Sequence, residues 1–253
     1  MSYPQSLPNP PHQTEIHRIA PAGDQALVIE LGPSISREVN KSVRDLDTAI
    51  IQAGWPEIVA TVPSYRSLLV YFDPVSVSFD ELTQRIRTLS RHKTAANTQV
   101  RRWTLPVCYG GDYGPDLNDL TAKLGLPADE IIRTHSGTEY MVYLIGFSPG
   151  FAYLGELPKA LEVPRKTTPA PLVAPNTIQI GGQQTAISSM PMPSGWYVVG
   201  RTPIRMYQRA NPKPFLLEGG DLIRFEPIVP SEFKDISAKV ERGAFQAFWE
   251  WAR

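Results

Sequence analysis

Apolar positions in this chain recur with two different periods, and the switch between them gives the elements. The run 16–19 and the run 25–31 alternate as strands, with a Pro-Ala-Gly-Asp turn at 21–24 between them. Val39, Val43, Leu46 and Ile50 then fall on one face at helical spacing. Ser36 stands where a helix cap is needed, and Gly54 stands where the helix must stop. Two more strands are predicted over 58–63 and 67–72, joined through Pro63-Ser64-Tyr65-Arg66. A second helix over 78–91 carries Phe79, Leu82, Ile86 and Leu89 as its buried stripe. Helices packed on one face of a small antiparallel sheet predict an α+β domain of ferredoxin-like type over 14–95.

The segment 92–99 is polar and aperiodic, as a linker would be. A strand is predicted over 101–109. Helices follow over 117–124, with Asp116 as its cap and Gly125 as its stop, and over 127–135, with Pro127 at its start. After Tyr140 the pattern changes to short apolar runs at 140–145, 177–180, 185–187, 196–201 and 222–227, broken by Gly and Pro. Such spacing predicts a mainly β barrel over 100–230. The segment 231–253 reads as a C-terminal helix bearing Phe233, Ile236, Val240 and Phe248, and 1–13 as a polar, Pro-rich tail.

Composition narrows the function classes. With 25 basic and 25 acidic residues in 253, the net charge is zero, so no global field draws in nucleic acid or anionic lipid. No apolar run approaches the roughly 18 residues of a membrane helix, and 1–13 lacks a signal-peptide core. A cytoplasmic protein that binds neither nucleic acid nor membrane is expected. The single cysteine, Cys108, lies in the apolar run 103–109 and reads as a buried strand residue. Phosphate-loop, Gly-x-Gly-x-x-Gly and Gly-x-Ser-x-Gly motifs are missing, and His12, His17, His92 and His135 form no metal-ligand pattern.

Candidate chemistry concentrates in two stretches. Gly146-Phe147-Ser148-Pro149-Gly150-Phe151-Ala152-Tyr153-Leu154-Gly155 follows a strand and combines glycines, a proline and three aromatics. Two readings fit it: a stiff loop that offers N–H groups and ring faces to a small polar ligand, or a tight barrel corner with core aromatics. In the second stretch, Val163-Pro164-Arg165-Lys166 is stiffened by prolines, and two readings fit it: Arg165 and Lys166 held in place, with Arg165 able to make a two-pronged contact to a carboxylate or phosphate, or a solvated surface loop. Gln184 and Thr185 follow a Gly-Gly turn and could face a planar amide. Trp196 reads as barrel core or stacking surface. Arg201, after Gly200, reads as a second anion contact or a rim ion pair.

These blocks come in a specific order: Gly-Phe-x-Pro-Gly-Phe-x-Tyr-Leu-Gly, Pro-Arg, Ile-Gly-Gly-x-Gln-Thr, Gly-Trp, Gly-Arg-Thr-Pro. In that order they resemble the KipI-type family, the B-type subunits of 5-oxoprolinase, also called allophanate hydrolase subunit 1 or carboxyltransferase subdomain C and D. His135 and Gly219-Gly220-Asp221 fall at matching places. The resemblance implies a cyclophilin-like barrel and a KipA-type partner, the C-type subunit of 5-oxoprolinase, with a LamB/YcsF-type protein joining them as the A-type subunit. It implies ATP-dependent opening of 5-oxoproline to glutamate. Kinase inhibition and a carboxyltransferase-like role in urea metabolism are the family's other activities. ATP, with Mg, would be bound by the assembled complex. This chain has no Met-Lys-Met biotinylation site. By position, His135, Arg165 and Arg201 are the catalytic candidates, His135 either as proton shuttle or as a structural histidine. Phe147, Pro149, Gly150, Phe151, Tyr153, Gln184, Thr185 and Trp196 are the substrate-binding candidates. The chain departs from the family pattern at 174–177, at Ala186 and at 188–194, which are expected to lie in the ligand-facing half.

Overall fold

The Ser36 hydroxyl accepts the Val39 N–H at 3.2 Å, and Gly54 takes the left-handed conformation at φ 62°, so the first helix begins and ends where its sequence places it. The computed structural model describes residues 16–91 and 99–252. The expected tail at 1–13, and all but the last residue of the expected linker, lie outside them. The chain divides into two compact units between Ala96 and Asn97.

The first unit runs β1 (Arg18–Pro21), β2 (Ala26–Glu30), α1 (Arg37–Ala53), β3 (Ile58–Pro63), β4 (Ser67–Phe72) and α2 (Phe79–Arg91). Its sheet has the order β1-β2-β4-β3, antiparallel throughout. Leu27, Ile29, Leu68, Val70 and Phe72 face Val43, Leu46, Ile50, Leu82 and Ile86 from the helices. The order is not the ferredoxin-like βαββαβ arrangement expected. The strand beside β2 comes before it, as a hairpin closed by Ala22 N–H to Ala26 O at 2.8 Å, and not after α2. Strands adjacent in sequence pair most readily, and the polar residues following α2 carry no strand signal. Asn40 is buried at the back of α1. Its Nδ2 donates to Ser64 O at 3.0 Å and Tyr65 O at 3.2 Å, pinning the β3–β4 turn to the helix.

The second unit runs β5 (Arg101–Tyr109), α3 (Leu117–Leu124), α4 (Ala128–Ser136), β6 (Tyr140–Ile145), β7 (Ala152–Gly155), β8 (Ala170–Val173), β9 (Thr177–Gly181), β10 (Gln184–Ile187), β11 (Met192–Ser194), β12 (Tyr197–Arg201), β13 (Leu222–Pro227), α5 (Pro230–Glu241) and β14 (Phe248–Trp251). Seven strands in the order β12-β9-β10-β7-β6-β13-β5 close into the expected barrel through Gly200↔Tyr109 and Arg201↔Cys108. Leu105, Val107, Leu154, Ile178, Ile180, Ile187, Val199 and Ile223 fill it. The short β8–β11 ribbon lies outside the closed sheet. The C-terminal helix expected over 231–253 is corrected: α5 stops at Glu241, and Gly243 turns the chain at φ 68°. Phe248 to Trp251 then pair antiparallel with Thr104 to Arg101. Three aromatics in four residues favour a strand over a helix turn.

Asn40→Ala would strand two carbonyls at the β3–β4 turn. The first unit should lose about 2 kcal/mol of unfolding free energy, read from Trp55 fluorescence in urea.

Candidate functional site

Strand alternation sorts the candidate residues onto two sides of the barrel wall. On β7, Ala152 and Leu154 point inward, and on β10 so do Thr185 and Ile187. Phe151, Tyr153, Gln184 and Ala186 lie on the outer face. There the β8–β11 ribbon covers Phe151, Ala186, Trp196 and Val198 with Val173 and Met192. Ring contacts run along this face: Phe147 to Phe151 at 6.0 Å, Phe151 to Tyr153 at 4.7 Å, Tyr153 to Trp196 at 6.0 Å. The Arg165 guanidinium lies 5.5 Å from the Trp196 ring centroid. Burial pushes the Tyr153 phenol up, and the Arg165 charge pulls it partly back.

Two glycines here serve packing. A Cβ on Gly181 would stand 2.7 Å from the Trp196 ring, and one on Gly155 would stand 2.0 Å from the Tyr143 ring. Gly150 differs: its φ of 77° is a backbone requirement as well.

The 146–150 segment folds as a tight turn, with Gly146 N–H to Phe151 O and Phe151 N–H to Ser148 O both at 3.0 Å. The Ser189 hydroxyl holds it from behind by donating to Pro149 O. At its tip Phe147 has φ 70° and is 80% exposed, an unusual conformation for a bulky residue. The turn forms one wall of a cleft of about 730 Å³. The other wall is 212–219, with Lys213, Phe215 and Glu218. The Ser148 hydroxyl is buried in this wall without a hydrogen-bond partner.

His135 and Thr185 belong to the interior. His135 is wholly buried, stacked on Phe225 at 5.0 Å. Thr185 spends its one hydroxyl proton on Gln179 O at 3.0 Å. His135 Nε2, 2.9 Å away, must therefore donate to Thr185, and Nδ1 accepts the Tyr109 hydroxyl at 2.8 Å. Both nitrogens are engaged, and burial pushes the imidazole down to about 3. The geometry is that of a neutral structural histidine.

Arg201 stands apart from Arg165. Its Nε donates to Pro175 O at 3.0 Å and its guanidinium lies 5.8 Å from the Phe233 ring of α5. Gln184 is half-buried at the start of β10.

Asp116 makes no side-chain cap bond on α3. Its carboxylate instead accepts Val198 N–H at 2.7 Å and Lys166 Nζ at 2.5 Å. Those partners are 82 and 50 residues away, so no local pattern could have announced them. The departures at 174–177 and 188–194 are not among the residues that line the cleft at 146–150. Asn176, at φ 60°, shapes a turn and accepts Met206 N–H. Ser188 bonds Thr177 within the buried wall.

The family model of the carboxyltransferase domain, subdomain C and D, matches residues 17–217. The chain belongs to that family. A relative in Bacillus subtilis (strain 168), named as the B-type subunit of 5-oxoprolinase, is 32% identical over 229 residues, 86% of this chain and 95% of its own. The crystal structure of TTHA0988 superposes with a TM-score of 0.72 at 31% identity, over 81% of this chain and 40% of that one. This family member thus spans well under half of that solved chain. The urea carboxylase of Kluyveromyces lactis shares the fold, with a TM-score of 0.77 at 16% identity over 92% of this chain and 24% of that one.

A histidine held neutral in the fold ties stability to pH. Its folded value of about 3 lies below the ordinary value of 6.5. Between those values the unfolded chain takes up the proton, so stability is complete above 6.5 and falls as the pH drops below it. Lowering the pH from 7 to 5 should remove about 2 kcal/mol of barrel stability through this residue. Urea titrations at both pH values, against His135→Gln, measure the difference.

Proposed function

We propose that this chain is the B-type subunit of an ATP-dependent hydrolase that opens a cyclic amide, with 5-oxoproline as substrate. The observation that carries the reading is the likeness to the B-type subunit of a 5-oxoprolinase over 95% of that relative's length. A lactam resists water because its amide is resonance-stabilised. Transfer of the ATP γ-phosphoryl group to the lactam oxygen makes a phosphate leaving group, and water then adds at the same carbon. Expulsion of the ring nitrogen as the amine opens the ring to γ-glutamyl phosphate, and a second water releases phosphate from that acyl phosphate to leave glutamate, with ADP released from the first transfer.

The protein's part in such chemistry is positioning and charge stabilisation. The 146–150 turn and Phe215 supply a shaped, largely apolar wall for a small ring, and Lys213 a cation at its edge. Arg165 is the fixed cation for an oxyanion. His135 takes no proton step, because both its nitrogens are committed in the core.

Mg–ATP belongs to the assembled complex in this reading. The described residues hold no group of three or more His, Cys, Asp or Glu side chains suited to a metal ion. A KipA-type protein completes the site as the C-type subunit, with a LamB/YcsF-type protein as the A-type subunit. The length of the TTHA0988 chain beyond the matched part supports a domain that works alongside further polypeptide. No described helix is long and apolar enough to cross a membrane.

Co-expressed with both partner proteins, the complex should hydrolyse ATP in proportion to added 5-oxoproline and release glutamate. ATP turnover indifferent to 5-oxoproline would remove that substrate. Arg165→Ala should lower the stimulated rate at least about tenfold, with the complex still eluting intact.

A further inference from the structure

A second, smaller cleft, of about 330 Å³, opens beside the Pro-Arg segment; its lining includes one carboxylate, Asp119, with Lys123, Arg165, Lys166, Thr167 and Thr168. We propose that this cleft is an oxyanion subsite, in which Lys123 and Arg165 bind a phosphoryl or carboxylate group beside the Thr167 and Thr168 hydroxyls.

One of its three cations is already neutralised. Lys166 is committed to Asp116 at 2.5 Å, both largely buried at 15% and 16% side-chain exposure. Arg165 and Lys123 have no carboxylate within 4.0 Å among the described residues, although Asp119 stands one helical turn before Lys123. Both cations rest on rings instead. Arg165 lies over Trp196 at 5.5 Å, and Lys123 Nζ over Tyr197 at 6.0 Å, adjacent residues entering β12. A ring face attracts a cation without quenching its charge. The rings therefore position two charges that keep their capacity for an anion.

The backbone beneath Arg165 is fixed at both ends. Val163 and Gly182 exchange hydrogen bonds at 3.1 and 2.7 Å, and Lys166 N–H donates to Gly195 O at 2.7 Å. Pro164 removes a backbone freedom between those anchors. Little order is left to impose when a ligand binds. A guanidinium and an ammonium together with hydroxyls match the oxygens of a phosphoryl group or carboxylate. The subsite is read from this chain alone and holds whether or not the hydrolase reading does.

The test uses the full chain at low ionic strength, followed by amide NMR while inorganic phosphate or 5-oxoproline is added. Saturable shifts should gather at Lys123, Arg165, Thr167 and Thr168, and any further 5-oxoproline shifts at 146–150 report the larger cleft. Lys123→Gln should weaken binding about threefold and Lys123→Arg should restore it. Tighter binding of phosphate assigns the subsite to a phosphoryl group, and tighter binding of 5-oxoproline assigns it to a carboxylate. Shifts that grow linearly without saturating, that scatter over the surface, or that are equal in Lys123→Gln would overturn the proposal. Because no partner protein or ATP turnover enters the measurement, its failure is separate from failure of the hydrolase reading.

Discussion

One largely buried carboxylate holds one end of the barrel together. Asp116 pairs with β12 twice, its own N–H reaching Val198 O at 3.0 Å and its side chain accepting Val198 N–H. The same oxygen receives the Lys166 ammonium. The start of α3, the strand that closes the barrel and the Pro-Arg segment therefore meet at one atom. A buried charge of this kind stabilises only when its partners are in place. The positions of Arg165, Lys123, Trp196 and Tyr197 all depend on elements that converge there.

The local elements were legible where the signal was local. The cap at Ser36, the stop at Gly54 and the bounds of β3, β4, β5, β6 and β13 follow from periodicity and turn chemistry. What the sequence hid was non-local. β7 lies inside the Gly- and aromatic-rich stretch, where composition argued for loop, and becomes a strand because β6 and β10 flank it. β14 needs β5 as a template. Asp116 had the right type and place for a cap, but a cross-chain N–H and an ammonium outbid the helix end. In the first sheet the strands and the 21–24 turn were found, and what periodicity did not encode is the pairing of β2 with β4, across α1 and β3.

Burial also redistributes the weight among the candidate residues. His135 and Thr185 share one hydrogen-bonded chain with Tyr109 and Gln179 inside the wall. Their role is to satisfy polar groups where no water reaches, which requires this pairing of types as strictly as catalysis would. Gly155 and Gly181 make room for Tyr143 and Trp196. Much of the sequence motif thus specifies the wall, and a smaller part, Phe147 to Gly150 and Arg165, faces outward.

That division also sorts the departures from the family pattern. The departures from the family pattern at Asn176, Ala186, Ser188 and Ser189 sit behind the site: Ala186 is fully buried under the ribbon, Ser188 bonds Thr177, and Ser189 holds Pro149. They repack the support of the 146–150 turn without replacing a residue that lines either cleft. A change of support alters how firmly Phe147 is presented more than which groups meet a ligand. The lining itself, from Ile145 to Gly150 and from Pro212 to Gly219, carries none of those departures, so they reach the cleft only through the backbone and side chains that hold the turn.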